Sequence, residues 1–182
     1  LGLKSKGHWF FSFFNNVRTQ YSRGYDYSKT PKLPVSTFFS PAYVSFGPGF
    51  LWKKSDDYRI NIAPATSRFT FVSKEFSGKY GVEQGKTNNY SLGFNLSSYM
   101  KFKLMDNVTM ENIITLYSDY LNNPKNVDLN YQTNLFFKVN KFFSMNITLH
   151  TIIDDDTSKR IQFRELFGLG ISYVFQNKVT FQ

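Results

Sequence analysis

Residues 90–105 read YSLGFNLSSYMKFKLM and alternate almost without fault. Leu92, Phe94, Leu96, Met100, Phe102 and Leu104 share one parity, and Ser91, Gly93, Asn95, Ser97, Lys101 and Lys103 share the other. A period of two belongs to a strand, whose successive side chains point to opposite faces, and not to a helix. Length constrains the fold further: the stretch runs for roughly fifteen residues where a globular strand usually has five or six. A strand that long, apolar on one side throughout, calls for an apolar phase of similar depth.

Composition points the same way. Hydrophobic residues make up 41% of the 182, mean hydropathy is −0.36, and no run of about eighteen apolar residues exists, which excludes a spanning helix. Yet 19% of residues are aromatic, with 21 Phe and 12 Tyr, more than a soluble core of this size would bury. The absence of cysteine excludes a disulfide framework and a thiolate metal site. A formal charge of +9 is compatible with anionic lipid, lipopolysaccharide, nucleic acid or an anionic solute and does not choose among them. The first residues carry no initiator Met, basic segment or apolar segment, and LGL reads as the tail of a strand. The expectation is therefore a chain that lacks its beginning.

Punctuation divides the sequence into long strands with no helix between them. They are expected over 8–20, 35–53 (broken by GPG at 47–49), 58–72 (kinked at Pro64), 90–105, 108–121, 127–139, 143–153 and 161–175, eight in all, plus the truncated one. The turns alternate. Those at 4–7, 53–57, 105–107 and 140–142 are tight, while 20–34, 73–89, 122–126 and 154–160 are mostly longer. An outer-membrane barrel has short periplasmic turns and longer outer loops, and a soluble sandwich has no reason to sort its turns in this way.

Aromatic residues gather near the expected strand ends. Trp9, Phe10, Phe50, Trp52, Tyr58, Phe142, Phe143, Tyr173 and Phe175 fall toward the tight turns, and Tyr21, Tyr90, Tyr117, Tyr120 and Tyr131 toward the long loops. Amphipathic rings favour the headgroup level, so the two sets read as girdles, with Trp9, Trp52, Tyr117, Tyr120, Tyr173 and Phe175 as their leading members. The alternative is a core merely rich in aromatics. By parity the inward positions include Arg18, Arg59, Lys101, Lys103, Lys138, Arg160 and Arg164 against Glu111, Asp119 and Asp128. That describes a polar lumen with a basic excess, either a water-filled pore favouring anions or an interior whose charges hold the barrel shut. Glu165 shares parity with Phe163 and Phe167 and so points outward, where a charge carries a depth-dependent cost.

The end of the last strand, GLGISYVF, places Gly170 before Tyr173 and Phe175 in a manner that partly resembles the signal by which barrel-assembly machinery recognises its clients. Over nearly the whole chain, the segments NVRTQYSRGYDY, SPAYVSFGPGF, INIAPATSRFTFV, KYGVEQG, DNVTMENIITLYSDYLNNPKNVDLNY, VNKFFSMNITLHTIIDDD and QFRELFGLGISYVF follow one another in an order that resembles a Bacteroidota-type family of outer-membrane barrels of unknown function. The resemblance implies an antiparallel up-and-down transmembrane β-barrel in a Gram-negative outer membrane, of about twelve strands in all. It implies residues 1–175 as barrel and 176–182 as a tail beyond the family's usual end. It brings no catalytic, cofactor or metal residue with it.

Other motifs are weaker. Asp154, Asp155 and Asp156 cluster oxygen ligands, but without the alternation and glycine of an EF-hand loop. They read better as a solvated acidic turn. His8 and His150 are the only histidines. A barrel-embedded hydrolase would need a serine and an orienting group beside one of them, and His150 has only Thr148 near it on the same face. Asn95, Asn107 and Asn146 match the glycosylation pattern by chance in an Asn-rich chain. No phosphate loop, dinucleotide fingerprint or RNA-binding aromatic pattern is present, so nucleic acid is not an expected partner. The expectation is a non-enzymatic barrel without cofactors, porin-like or structural. Its partners would be outer-membrane lipid and lipopolysaccharide, the assembly machinery during biogenesis, and other outer-membrane proteins if it serves as an accessory subunit. A lipid-modifying envelope enzyme and a soluble ligand-binding barrel are the remaining alternatives.

Overall fold

The computed structural model describes residues 2–122, 124–154 and 158–173. β1 (Gly2–Lys4) and β2 (Trp9–Thr19) precede a small hairpin of β3 (Gly24–Asp26) and β4 (Leu33–Ser36). Long strands follow: β5 (Ala42–Lys53), β6 (Tyr58–Phe71), β7 (Asn88–Met105), β8 (Val108–Asp119), β9 (Val127–Lys138), β10 (Phe143–Asp154) and β11 (Ser158–Ile171). Nine of the eleven form one antiparallel sheet in the order β1-β2-β5-β6-β7-β8-β9-β10-β11, an up-and-down meander, and β3 pairs only with β4. The eighteen-residue β7 is the stretch whose alternation is so regular.

Two expectations are corrected. The sheet is open: among the described residues no ladder joins β1 to β11, so a closed barrel is not formed. The strand expected over 35–53 is two strands, because Thr37 and Ser40 close a tight bridge around Phe39, whose φ is 56°, and β5 starts only at Ala42. That split, together with β3 in the stretch expected to be a loop, is why eleven strands stand among the described residues where nine were expected.

GPG does not break β5. Phe14 pairs with Gly47, Phe13 with Pro48 and Ser12 with Gly49. On its other side β5 skips from Phe46↔Ser67 to Phe50↔Ile62, so Pro48 sits where no ladder bond to β6 is required of it. The glycines allow β6 to come close: a Cβ on Gly49 would stand 2.6 Å from the Ile62 carbonyl oxygen, and one on Gly47 would collide with that of Ala65. Around Pro64, β6 carries an extra residue, its pairing with β7 passing from Ala63↔Asn95 to Thr66↔Gly93. One extra residue exchanges the faces of everything after it.

Register sorts the side chains onto two faces. One carries Trp9, Phe11, Phe13, Phe46, Phe50, Trp52, Ile60, Phe69, Leu92, Phe94, Leu96, Ile114, Leu116, Leu135, Ile147, Leu149, Phe163 and Phe167. The other carries Asn16, Arg18, Ser45, Arg68, Ser91, Asn95, Thr115, Asn130, Gln132, Asn134, Asn146 and His150. The polar face is concave. Arg68 on β6 reaches Asp128 on β9 at 2.9 Å, and Ser12 on β2 donates to Asn61 on β6 at 2.6 Å, bonds that a flat sheet would not permit between strands that are not neighbours.

Soluble packing is thereby inverted. Ser91, Asn95, Asn134 and Thr66 are buried, while Trp9, Phe11, Phe13, Phe50 and Phe167 keep between 46% and 64% of their surface. Among the described residues the one cluster of buried apolar side chains, Val72, Phe76 and Val82 with Tyr80 against it, lies in the 72–87 loop and not between layers.

The turns at 5–8, 54–57, 106–107 and 139–142 fall on one rim and the segments 20–41, 72–87, 120–122 and 124–126 on the other. The acidic loop expected over 154–160 is shorter than that, because Asp154 pairs with Ser158 and both are in strands. Asp155 and Asp156 lie outside the described residues.

Candidate functional site: the polar concave face

Strand alternation, interrupted by the β6 bulge and, near strand ends, between Lys103 and Met105 and between Ile152 and Asp154, delivers the polar side chains to the concave face, where they form two networks. The one nearer the long loops centres on Arg68. Its guanidinium lies 3.3 Å over the ring centroid of Tyr117 and pairs with Asp128, and the Tyr117 hydroxyl is 2.8 Å from that of Ser91. Tyr117 is 3% exposed. It fits because its β7 neighbour Gly93 has no Cβ, which would stand 2.9 Å from the phenol oxygen. A cation over an aromatic face, with a carboxylate on its edge, is stabilised from two directions.

The second network lies toward the tight turns. Tyr99 donates to Glu111 Oε1 at 3.0 Å, Lys101 Nζ stands 3.6 Å from the same oxygen, and the Arg59 guanidinium lies 4.5 Å over the Tyr99 ring. Further along, Lys103 pairs with Asp106 of the turn at 2.7 Å.

On β10, His150 has Nε2 2.9 Å from Asn130 Oδ1 and Nδ1 3.1 Å from an Arg164 nitrogen. A guanidinium can only donate, so Nδ1 accepts and the proton of a neutral ring sits on Nε2, donated to Asn130. Thr148, the one hydroxyl of its face near His150 in sequence, donates instead to Asn134 Oδ1 at 2.9 Å.

Six of the seven basic residues expected inside are on the concave face: Arg18, Arg59, Lys101, Lys103, Lys138 and Arg164. They do not form one cluster. Arg18 and Arg164 lie in the half toward the long loops, Arg59 and Lys101 in the other half, and Lys103 and Lys138 at the tight-turn rim. Arg160 falls where side chains are not described. The sequence reading missed Arg68, because constant parity along β6 from inward Arg59 puts it outside with Ile60 and Ile62; the residue added at Pro64 turns it inward, and that proline was the signal.

The aromatic expectations divide. Trp9 pairs with Trp52 on the convex face, Tyr58 and Phe102 meet edge to face at 5.5 Å, and Tyr173 stacks on Phe142 at 6.3 Å. Tyr120 donates to the Pro64 carbonyl at 2.9 Å and is half exposed. Tyr117 is a correction: it is not in a girdle but buried under Arg68, on the same parity as Glu111 and Asp119. Phe10 also faces inward, opposite Leu51. Phe175 lies outside the described residues. Glu165 is on the convex face opposite Leu149, as its parity requires.

No family model, curated protein or solved structure matches the chain. Among the described residues no group of three His, Asp or Glu is placed to hold a metal ion. No helix is long and apolar enough to cross a membrane, which leaves crossing by strands untouched. The chemistry on offer is that of a polar, net-basic surface with guanidinium groups at two levels.

Proposed function

We propose that this chain forms the wall of a transmembrane β-barrel in a Gram-negative outer membrane, with the concave face lining a passive aqueous lumen. One observation carries the reading: large apolar side chains are left exposed or partly exposed along the convex face, while most of the buried polar side chains of the sheet, all but Ser98 and Asn112, face the concave side. A lipid-facing band outside and a polar interior is the arrangement of outer-membrane barrels, whereas a water-soluble sheet of this size would cover its apolar face with a second layer. The sorting of turns by rim and the resemblance of the sequence to a Bacteroidota-type barrel family support it. In that setting the convex face meets lipid and lipopolysaccharide, and the assembly machinery handles the protein during insertion.

Planar-bilayer recording of the refolded protein in a salt gradient tests the pore. Steady openings with anion preference are expected from the basic excess of the lumen. Baseline current from a folded protein would reduce the role to a structural barrel.

A second reading, an accessory barrel docked to a larger complex, is favoured by one feature. Glu165 is exposed on the convex face, and a partner's cation would relieve its cost in lipid. Sizing after gentle detergent extraction decides it: a heterologous complex supports docking, and a lone barrel refutes it.

A further inference from the structure

Arg18 and Arg164 stand on strands far apart in the sheet, β2 and β11, yet they line one recess of about 410 Å³ on the concave face. Its wall also includes Gln20, Asn130, His150 and Gln162, with Asp154 as the one described carboxylate. Three other basic side chains of this face pair with carboxylates: Arg68 with Asp128, Lys101 with Glu111 and Lys103 with Asp106. Arg18 and Arg164 make no such ion pair among the described residues. Arg18 instead lies 4.7 Å over the Tyr43 ring, and Arg164 spends one nitrogen on His150 Nδ1. Both are exposed to the lumen.

These contacts hold the guanidinium groups without neutralising them. Stacking on Tyr43 leaves the edge of Arg18 free to donate, because a cation over a ring uses its face and not its N–H groups. The hydrogen bond to His150 fixes the direction of Arg164, and His150 is itself fixed by Asn130. Two forks with fixed positions, neither in an ion pair among the described residues, match an oxyanion, whose oxygens take paired N–H donors.

We propose that this recess is a binding site for a small solute oxyanion, a phosphate or carboxylate group, with Arg18 and Arg164 as its two ligands and Tyr43 and His150 as positioning residues. The recess opens on the concave face, so a lipid lying against the convex face cannot supply the group. The proposal rests on the reading of that face as a water-filled lumen.

Calorimetric titration of the detergent-folded protein with inorganic phosphate, against chloride at equal ionic strength, tests it. Saturable phosphate binding is expected, weakened roughly tenfold or more in Arg18→Gln and in Arg164→Gln, since each loses a hydrogen bond to a charged group. It should be unchanged in Lys86→Gln, which removes the same charge from the 72–87 loop. Heat-shifted gel mobility confirms that each variant is folded. Arg18→Lys and Arg164→Lys should fall between, keeping charge but not the fork. No saturable binding, or equal binding in the Gln variants, overturns the site. A silent protein that binds phosphate rejects the pore and keeps the site; a conducting one that does not bind rejects the site and keeps the pore.

Discussion

Arg68 shows how much one side chain can organise on a curved sheet. It reaches across β7 and β8 to Asp128 and covers Tyr117, and the two side chains of the ion pair keep only 23% and 19% of their surface. The pair stands between an exposed bridge, worth less than about 1 kcal/mol, and a buried one, whose breaking costs about 3–5 kcal/mol. Arg68→Gln should therefore destabilise the folded protein by about 2 kcal/mol, with Asp128→Asn costing less because the stacking on Tyr117 survives. A double-mutant cycle on urea unfolding in lipid vesicles should return a coupling of about 1 kcal/mol or more. Additive effects would mean that Arg68 acts through Tyr117 alone. That Arg18, Arg59, Lys101 and Arg164 face inward was legible from parity, because their strands keep a constant register over the relevant span. Tyr117 was legible too, sharing parity with Glu111 and Asp119, but its position near a strand end suggested a girdle. Which inward cations would meet a carboxylate was not legible, since that depends on how strongly the sheet curls.

At the scale of elements, period and punctuation located every long strand, and missed where local chemistry overrides them. The GPG of β5 looked like a break and is a place where β6 approaches; the polar stretch after β2 read as a long loop and holds the β3–β4 hairpin. The long loops are joined to one another. Arg23 binds Glu75 at 2.6 Å, the backbone N–H of Ser73 donates to the Ser40 hydroxyl at 2.8 Å, and the Tyr80 hydroxyl donates to the Val35 carbonyl. Burial raises the Tyr80 pKa above its ordinary value of 10.0. A raised folded-state value means that the neutral phenol is favoured in the docked loop. Its contribution is complete below the unfolded pKa, near 10, and is lost as pH rises through the higher folded one. Limited proteolysis of the 72–87 loop should therefore be slow at neutral pH and accelerate above about pH 10. Tyr80→Phe should remove that alkaline step and weaken docking by about 1 kcal/mol at neutral pH, the net worth of one hydrogen bond. An unchanged alkaline step in the variant would assign it to another group.

For the whole molecule the question is which solvent each face meets, and a matched pair of substitutions puts it directly. Phe13 on the convex face of β2 is 49% exposed, and Leu166 on the concave face of β11 is 50% exposed. In water the two sites are equivalent, so Phe13→Arg and Leu166→Arg should each cost no more than about 1 kcal/mol, as surface changes do. In a bilayer the equivalence ends. An arginine on the lipid face near the midplane costs about 2–4 kcal/mol, while a lumen position stays hydrated. Phe13 lies mid-strand with Phe46 beside it, their rings 6.4 Å apart, and its convex-face cross-strand partner is Pro48, so no acidic neighbour there softens the charge. Refolding into vesicles should thus show Phe13→Arg losing about 2–4 kcal/mol and Leu166→Arg little. Equal small losses at both sites would mean that water bathes the convex face, and the row of exposed Trp and Phe along it would then belong to a protein interface and not to lipid.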